Sequence, residues 1–494
     1  MVFSRNEGGV DERGVSWKVC LDLPVDGRIL ALGVTAGDVL GLARTWTRVD
    51  WLRDNENENI GLSSPDAMAV CVRTLTHIHQ IAAPYDLIVL GTWKGNPVFL
   101  HDCLGEDGLL ACMNFRGCDL KVKQLKRAGF ATIHTIAAVP TRQPRLFFPQ
   151  QNNGQKQRGL SFHVPGRWWL RWLLRGLRWI VGLGWPVFPG WRGLYLAHKK
   201  KECHSMGGVA HAIEKKLGWV TQGWVVYAGS DLPRRKVTLL AFNQETNREW
   251  VIKLADSPSG QGALQQETQA LETLARSSVS GHVPTLILPN GSWMGHAFMV
   301  QSMLARSYSS QSTTWTPAHR EFLQKLKYMD IHLRPMGQTS CWQRVVRGFQ
   351  TSTTWPDAVR KTYSCLTQDD LLRQEIPCCR SHGDFAPWNI RWEDGKLFVI
   401  DWEESEPDGL MIGDLFYFFY CQLGRNPRIR PMDVFLYFNH SMAVMDQKKE
   451  IGTQILVLML RLWLLERFIR SGEIQAMQLL DFFAPDGSPP WKND

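Results

Sequence analysis

The sequence predicts two α/β-type units in one chain. Residues 1–150 should form a doubly wound α/β unit, and residues 205–494 an α+β unit with strands to residue 304 and helices after it. Two observations carry this. Short apolar strands alternate with glycine turns and helix starts in the first part. Paired strands give way to long helical apolar patterns in the second. Between them, residues 151–204 begin as a polar linker and become basic and tryptophan-rich.

The first unit opens with Gly27–Leu32 as a strand, Gly33 to Gly37 as a turn, and Asp38 in the start of a helix. Thr47–Trp51 is a second strand carrying Asp50. Tyr85–Gly91, Gly108–Met113 and Phe130–Pro140 are further strands. This rhythm resembles class I S-adenosylmethionine-dependent methyltransferases, whose fold is doubly wound. The resemblance implies that Gly33 and Gly37 admit the methionine end of S-adenosylmethionine, and that Asp50 binds the ribose hydroxyls. Ala31 stands where that family's motif carries an acid, so a degenerate domain is the simpler expectation.

The linker is expected to hold an amphipathic helix over Arg167–Trp185. Arg167, Arg171, Arg175 and Arg178 fall on a stripe about 80° wide at 100° per residue, and Trp168, Trp169, Trp172 and Trp179 cover the remainder. Such a helix suits a membrane interface, where guanidinium groups meet lipid phosphates. Its plain structural counterpart is a helix packed against the rest of the chain with its arginines outward. Basic residues interleaved with aromatics also suit nucleic acid, but no nucleic-acid-binding module is present and none is expected as a partner.

In the second unit, Trp224–Tyr227 and Lys236–Phe242 read as paired strands joined by Ala228–Arg235. Gly229 and Ser230 in that loop are candidates to approach phosphate, with Arg234 and Arg235 adding charge. Trp250–Leu254 is a strand carrying Lys253. Glu267, fourteen residues on, opens a helix whose Ala270, Leu271 and Leu274 form a buried stripe. Glu267 is the expected partner of Lys253, and Glu272 is the second choice.

Ser381–Asn389 reads Ser-His-Gly-Asp-Phe-Ala-Pro-Trp-Asn. A hairpin follows, with an Asp394-Gly395 turn, and Val399-Ile400-Asp401 ends its second strand. Phosphoryl transfer needs such a set: a carboxylate for the attacking hydroxyl, and an amide oxygen with a second carboxylate for Mg²⁺. The spacing H-x-D-x-x-x-x-N resembles the protein-kinase catalytic loop, with Gly383 in place of Arg. His-Gly-Asp with Asn five positions on resembles the aminoglycoside phosphotransferase and choline kinase family. The resemblance covers about residues 205–480 and implies a bilobal protein-kinase-like fold. It makes Asp384 the catalytic base and Asn389 and Asp401 the Mg²⁺ ligands. It also has Lys253 position the ATP phosphates, and makes Phe298–Leu304 the hinge against the adenine.

Glu403, Glu404, Glu406 and Asp408 form an acidic run, read as a solvated loop or as an attractor for a cationic substrate. Asp414 should cap the helix that follows it and brace the catalytic loop. Phe322 to Leu333 has helical apolar spacing, with His332 structural within it. Ile455–Leu465 is apolar nearly all round and should be core.

Eleven cysteines without framework spacing fit reduced thiols. The polar N-terminus lacks a signal-type apolar segment, and no run of roughly 18 uncharged apolar residues suggests a span. A cytoplasmic protein, peripheral on the inner face of a membrane, is expected. The leading expectation is an ATP- and Mg²⁺-dependent phosphotransferase acting on a hydroxyl of a small molecule, sugar or membrane-associated glycan. The glycan option rests on a likeness to fused enzymes that cap bacterial polysaccharides. The alternatives are a noncatalytic scaffold and a bifunctional kinase and methyltransferase.

Overall fold

The structure is a computed structural model. Apart from a few single positions, it describes residues 13–52, 71–139, 144–150, 193–200, 208–229, 236–303, 310–423, 429–444 and 452–483, with residue 176. The Arg167–Trp185 stretch, Gly176 excepted, lies outside these, as do Ser230, Arg234 and Arg235. Among the described residues no helix is long and apolar enough to cross a membrane. The chain divides into two compact units. One holds residues 6–264 and 287–303, and the other residues 265–286 and 304–494 with the first five residues.

The first unit is built on one sheet of 13 strands. In chain order they are β1 (Arg28–Leu32), β2 (Arg48–Leu52), β3 (Cys71–Leu75), β4 (Tyr85–Leu90), β5 (Leu104–Met113), β6 (Thr132–Val139), β7 (Leu146–Pro149), β8 (Gly193–His198), β9 (Gly223–Tyr227), β10 (Lys236–Asn243), β11 (Arg248–Ala255), β12 (Leu286–Trp293) and β13 (His296–Ser302). Their spatial order is β3-β2-β1-β4-β5-β8-β6-β7-β9-β10-β11-β13-β12. Strands β3, β2, β1, β4 and β5 run parallel. β8 then enters antiparallel between β5 and β6. In place of a separate doubly wound unit there is one large mixed sheet, whose parallel part reverses its strand order between β1 and β4.

The two-residue side-chain period of a strand sorts the apolar residues into two cores. Ile29, Ala31, Leu87, Val89, Leu109 and Ala111 bury on one face. Leu30, Leu32, Ile88, Leu90, Leu110 and Cys112 bury on the other. The first core continues along the sheet through Phe147, Leu194, Val226, Leu239, Ile252 and Val300.

The boundary expected at residue 150 therefore falls inside a sheet. Leu146 and Phe147 of β7 pair with Tyr227 and Val226 of β9. β6 takes one edge of β7 and β9 takes the other. An open strand edge exposes unpaired N–H and C=O groups, and this pairing closes that edge.

The second unit carries two three-stranded sheets, β14-β17-β18 and β15-β16-β19. Their strands are β14 (Ser310–Gln311), β15 (His332–Pro335), β16 (Glu375–Ser381), β17 (Ile390–Glu393), β18 (Lys396–Val399) and β19 (Glu406–Leu410). The hairpin is as expected: Glu393 pairs with Lys396, and Gly395 turns at φ +75°. One expectation fails. The Pro317–Lys327 helix stops short of His332, which lies on β15 and bonds Asp408 and the Asp330 carbonyl. The Thr453–Ser471 helix is core, with Leu456, Met459, Leu460, Leu464 and Leu465 buried.

Phe147 is fully buried where β7 meets β9. Phe147→Ala should cost about 3–5 kcal/mol. Urea unfolding followed by circular dichroism should show one lowered midpoint for the whole sheet. A separate early transition would mean that the two halves of the sheet do not share a core.

Candidate active site

The stretch from β16 to β19 folds around the expected residues. Past Ser381 the chain leaves β16, and two N–H groups, of His382 and Gly383, donate to the Asp414 carboxylate at 2.6 and 2.9 Å. Asp414 lies in the first turn of the Gly413–Leu423 helix and is buried. It braces the loop as expected. Gly383 has φ +79°, and a Cβ there would sit 2.1 Å from the Glu404 carbonyl oxygen. Gly383 is the residue this close approach allows.

His382 ties the loop to the end of the hairpin. Its Nε2 meets the Ile400 carbonyl at 3.0 Å, and the Asp384 N–H meets its Nδ1 at 3.2 Å. A carbonyl only accepts and a backbone N–H only donates. Nε2 therefore carries the proton, Nδ1 accepts, and the ring is neutral. Trp402 packs edge-on against it at 4.5 Å.

The Asn389 amide donates from Nδ2 to the Asp384 carbonyl at 3.0 Å and to the Asp384 carboxylate at 2.8 Å. Both bonds use the nitrogen, so Oδ1 is the atom able to ligate a cation. The Ile400 N–H donates to the Asn389 carbonyl at 2.9 Å. Asp401 follows with φ +69°, a left-handed conformation uncommon for a non-glycine residue. Such strain clusters at functional sites.

Burial pushes the Asp384 carboxyl up to about 7. A hydrogen bond from Tyr417 opposes this, the Asp401 charge adds to it, and Arg467 and Asn389 oppose it again. Burial raises Asp414 to about 6 against its two N–H donors. Arg391, bonded to the Trp388 carbonyl, is lowered to about 10 by desolvation, with Asp401 acting the other way.

The sequence reading missed Tyr417 and Arg467. Tyr417 lies in the helix that follows Asp414, among mostly apolar neighbours. Arg467 follows the apolar run of the Thr453–Ser471 helix, and a cation inside such a helix is the signal that was available.

Three members of the acidic run are paired within the chain, so it is not simply a solvated loop. Glu404 pairs with Arg470 at 3.0 Å and Glu406 with Arg344 at 2.7 Å. Arg344 also holds Glu466 at 2.9 Å, and Asp408 takes Arg334 and His332. These charges hold β19 and the helices together, around a cavity of about 50 Å³ lined by Gly383, Asp414 and Arg467.

In the first unit, Lys253 is buried on β11, in register with Thr238 of β10 and Met299 of β13. Gly229 has φ +73°, and a Cβ there would sit 2.4 Å from the Lys236 carbonyl oxygen. In the second unit, Glu267 is fully buried and Glu272 is exposed. That burial favours Glu267 over Glu272 as a held charge.

The residues read as binding S-adenosylmethionine have other partners in the parallel part of the sheet. Ligands of such sheets sit beyond the carboxyl ends of the strands, where the strand order reverses. Here main-chain bonds join the ends of β1 and β4. Gly91 N–H donates to Leu32 O at 2.9 Å and Thr92 N–H to Gly33 O at 2.7 Å. Gly33 has φ +57°, and a Cβ on it would lie 1.8 Å from the Thr92 carbonyl oxygen. Gly37 is buried in the Ala36–Ala43 helix, which Thr35 and Asp38 cap reciprocally, and Asp38 also pairs with Arg116 at 3.1 Å. Asp50 does not face a ribose site. Its carboxylate accepts from Arg28 at 2.8 Å and from Tyr85 at 2.7 Å, both at the amino ends of their strands.

Residues 240–431 match the model of a family described as phosphotransferase enzymes, APH. No curated protein matches the chain. Among solved structures it is similar to the aminoglycoside phosphotransferase APH(2'')-Ib with ADP, at 16% identity and TM-score 0.36, over 55% of this chain and 96% of that one. It is also similar to an ethanolamine kinase of Plasmodium vivax, at 13% identity and TM-score 0.34, over 50% and 74%. The family match, and not these distant likenesses, bears on the reading below.

Two outcomes follow from this geometry. Asp384 has its folded value raised from 3.8 to about 7. Its carboxyl therefore favours folding at low pH, and that contribution is lost as pH rises through this window. In metal-free buffer, the melting temperature of Asp384→Asn relative to wild type should rise over the same window and then level off. A pH-independent difference would mean that Asp384 is ionised throughout. In calorimetry, S-adenosylmethionine should give no binding heat with the full chain; saturable binding would mean that the joined ends of β1 and β4 part.

Proposed function

We propose that the chain is an ATP- and Mg²⁺-dependent phosphotransferase acting on a hydroxyl of a small molecule, sugar or membrane-associated glycan. The observation that carries this is the Asp384–Asn389 contact, joined by a main-chain hydrogen bond to Ile400, the residue before Asp401, inside the segment that matches the phosphotransferase family.

Asp384 orients the acceptor hydroxyl and takes its proton. Its raised value of about 7 lies near neutral pH, where a general base balances availability against strength. Asn389 Oδ1 and Asp401 supply two oxygen ligands for Mg²⁺, which commonly takes one or two protein oxygens and completes its shell with phosphates and water. Bound Mg²⁺ supplies neutralisation of charge on the phosphates. Lys253 contacts the nucleotide phosphates. Catalysis is then mainly positioning and electrostatic stabilisation. A membrane-associated acceptor suits contact through Arg167–Trp185, which co-sedimentation with anionic vesicles tests.

Mg²⁺-dependent ATP binding by thermal shift is the direct test. Ligand at about 100 times Kd adds about 2.7 kcal/mol to stability. Wild type should show this shift only with Mg²⁺, Asp401→Ala should lose it, and Asp384→Ala should keep it while losing turnover. No shift for wild type at millimolar ATP would overturn the assignment.

A further inference from the structure

Asp401 stands at the midpoint of a stretch that is tied down at both ends. Its φ of +69° needs that support, because a non-glycine residue keeps a left-handed conformation only where its surroundings over-determine it. Before it, the Ile400 carbonyl and N–H are held by His382 and Asn389. After it, the Trp402–Glu404 turn closes as the Ser405 N–H donates to the Trp402 carbonyl at 3.1 Å. Trp402 Nε1 reaches back past Asp401 to the Val399 carbonyl at 3.0 Å.

Residues 265–286, part of the same unit, supply the outer ties. Gln266 Nε2 donates to the Ser405 carbonyl at 2.9 Å. His282 Nδ1 donates to the Leu397 carbonyl at 2.8 Å, since a carbonyl only accepts. Leu397 lies four residues before Asp401, and Ser405 four residues after it. Ser405 is buried, and all its polar groups are used: its N–H on Trp402, its hydroxyl on the Ser381 carbonyl at 2.8 Å, and its carbonyl on Gln266. The His282 ring packs edge-on against Phe322, 5.9 Å between centres, which fixes the direction of its N–H.

We infer that Gln266 and His282 are positioning residues for Asp401, holding both ends of residues 397–405 so that the strained residue between them keeps its conformation. They act through backbone carbonyls and not through the carboxylate itself. Without the Gln266 amide, the buried Ser405 carbonyl loses its donor. The turn then shifts to find another, and Asp401 relaxes toward the commoner negative φ. Without the His282 N–H, the hairpin end is released in the same way. Outer partners that orient a metal's ligands commonly carry tenfold or more of its affinity. The inference rests on the phosphotransferase reading, because that reading makes Asp401 a Mg²⁺ ligand.

The test uses the full chain and two variants that keep side-chain shape. Gln266→Met has nearly the same length and no donor. His282→Phe keeps a ring against Phe322 and loses the N–H. With Mg²⁺ in excess, the Kd for MgATP is read from how the thermal shift grows with ATP. Each variant should raise that Kd roughly tenfold. In the metal-free chain, amide hydrogen exchange should quicken across residues 397–405 and stay unchanged in the Thr453–Ser471 helix. A packing role alone would lower the melting temperature without ligand and leave the Kd where it was. A wild-type chain that binds MgATP, with both variants binding it equally well, therefore overturns the inference alone. A wild-type chain that shows no MgATP shift overturns the phosphotransferase reading and takes this inference with it. Where one variant fails to fold, the Kd and exchange pattern of the other decide.

Discussion

One buried carboxylate holds the candidate site in shape. Asp414 accepts the N–H groups of His382 and Gly383 at the point where the chain leaves β16. A donor buried without a partner costs about 1–3 kcal/mol, so two adjacent N–H groups at this turn need an acceptor that is already in place. Asp414 is in place because it opens a helix whose apolar residues are buried on nearly every side. Its burial raises the proton affinity of the carboxyl, and the two N–H donors act against that. The backbone turn and the ionisation of Asp414 thus support each other. Everything downstream, from the His382 tautomer to the Asn389–Asp384 contact, starts from that turn.

The second constraint is the route by which one end of the site reports to the other. His382 accepts from the Asp384 N–H and donates to Ile400, the residue before Asp401. Asn389 donates to Asp384 through its side chain and accepts from Ile400 through its main chain. Asp384 and Asp401, on different stretches of chain, are thus joined by two short paths through Ile400. A neutral His382 serves both bonds; a doubly protonated ring would set a second N–H against the Asp384 N–H. The charged groups around β19 extend the same logic outward, since Arg344, Arg470, Glu404, Glu406 and Glu466 satisfy one another within the unit.

Much of this was legible because it is local. Asp384, Asn389 and Asp401 are within eighteen residues of one another, and the hairpin that joins them carries its own turn signal. The strands of the first unit were legible for the same reason, through two-residue alternation bounded by glycine. What stayed hidden depends on distant partners. The pairing of β7 with β9 joins residues about eighty positions apart, and no local pattern announces it. Arg467 comes to Tyr417 across fifty residues, and the partners of the acidic run are spread from Arg334 to Arg470. A charge run looks alike in sequence whether its side chains meet water or arginines from distant elements. His332 was misplaced because an apolar spacing that fits a helix continued past Lys327, while its real partner, Asp408, lies on another strand.

Gly33 shows how one residue type answers two different demands. A glycine at the end of the first strand of a doubly wound sheet lets a cofactor approach the backbone, or lets another piece of backbone approach it. Both need the space a Cβ would fill, so the residue by itself does not say which applies. The Thr92 carbonyl oxygen occupies that space, and main-chain bonds join the ends of β1 and β4. Asp38 turns its carboxylate into the cap of its own helix and toward Arg116, so the helix terminus is already served by an anion of the chain. Asp50 is likewise held by Arg28 and Tyr85 at the far ends of the strands. Strand order, packing and glycine are thus accounted for here by contacts within the chain. The shared core running from Ile29 to Val300 gives that half a sufficient reason to persist, as the continuation of the sheet that carries Lys253.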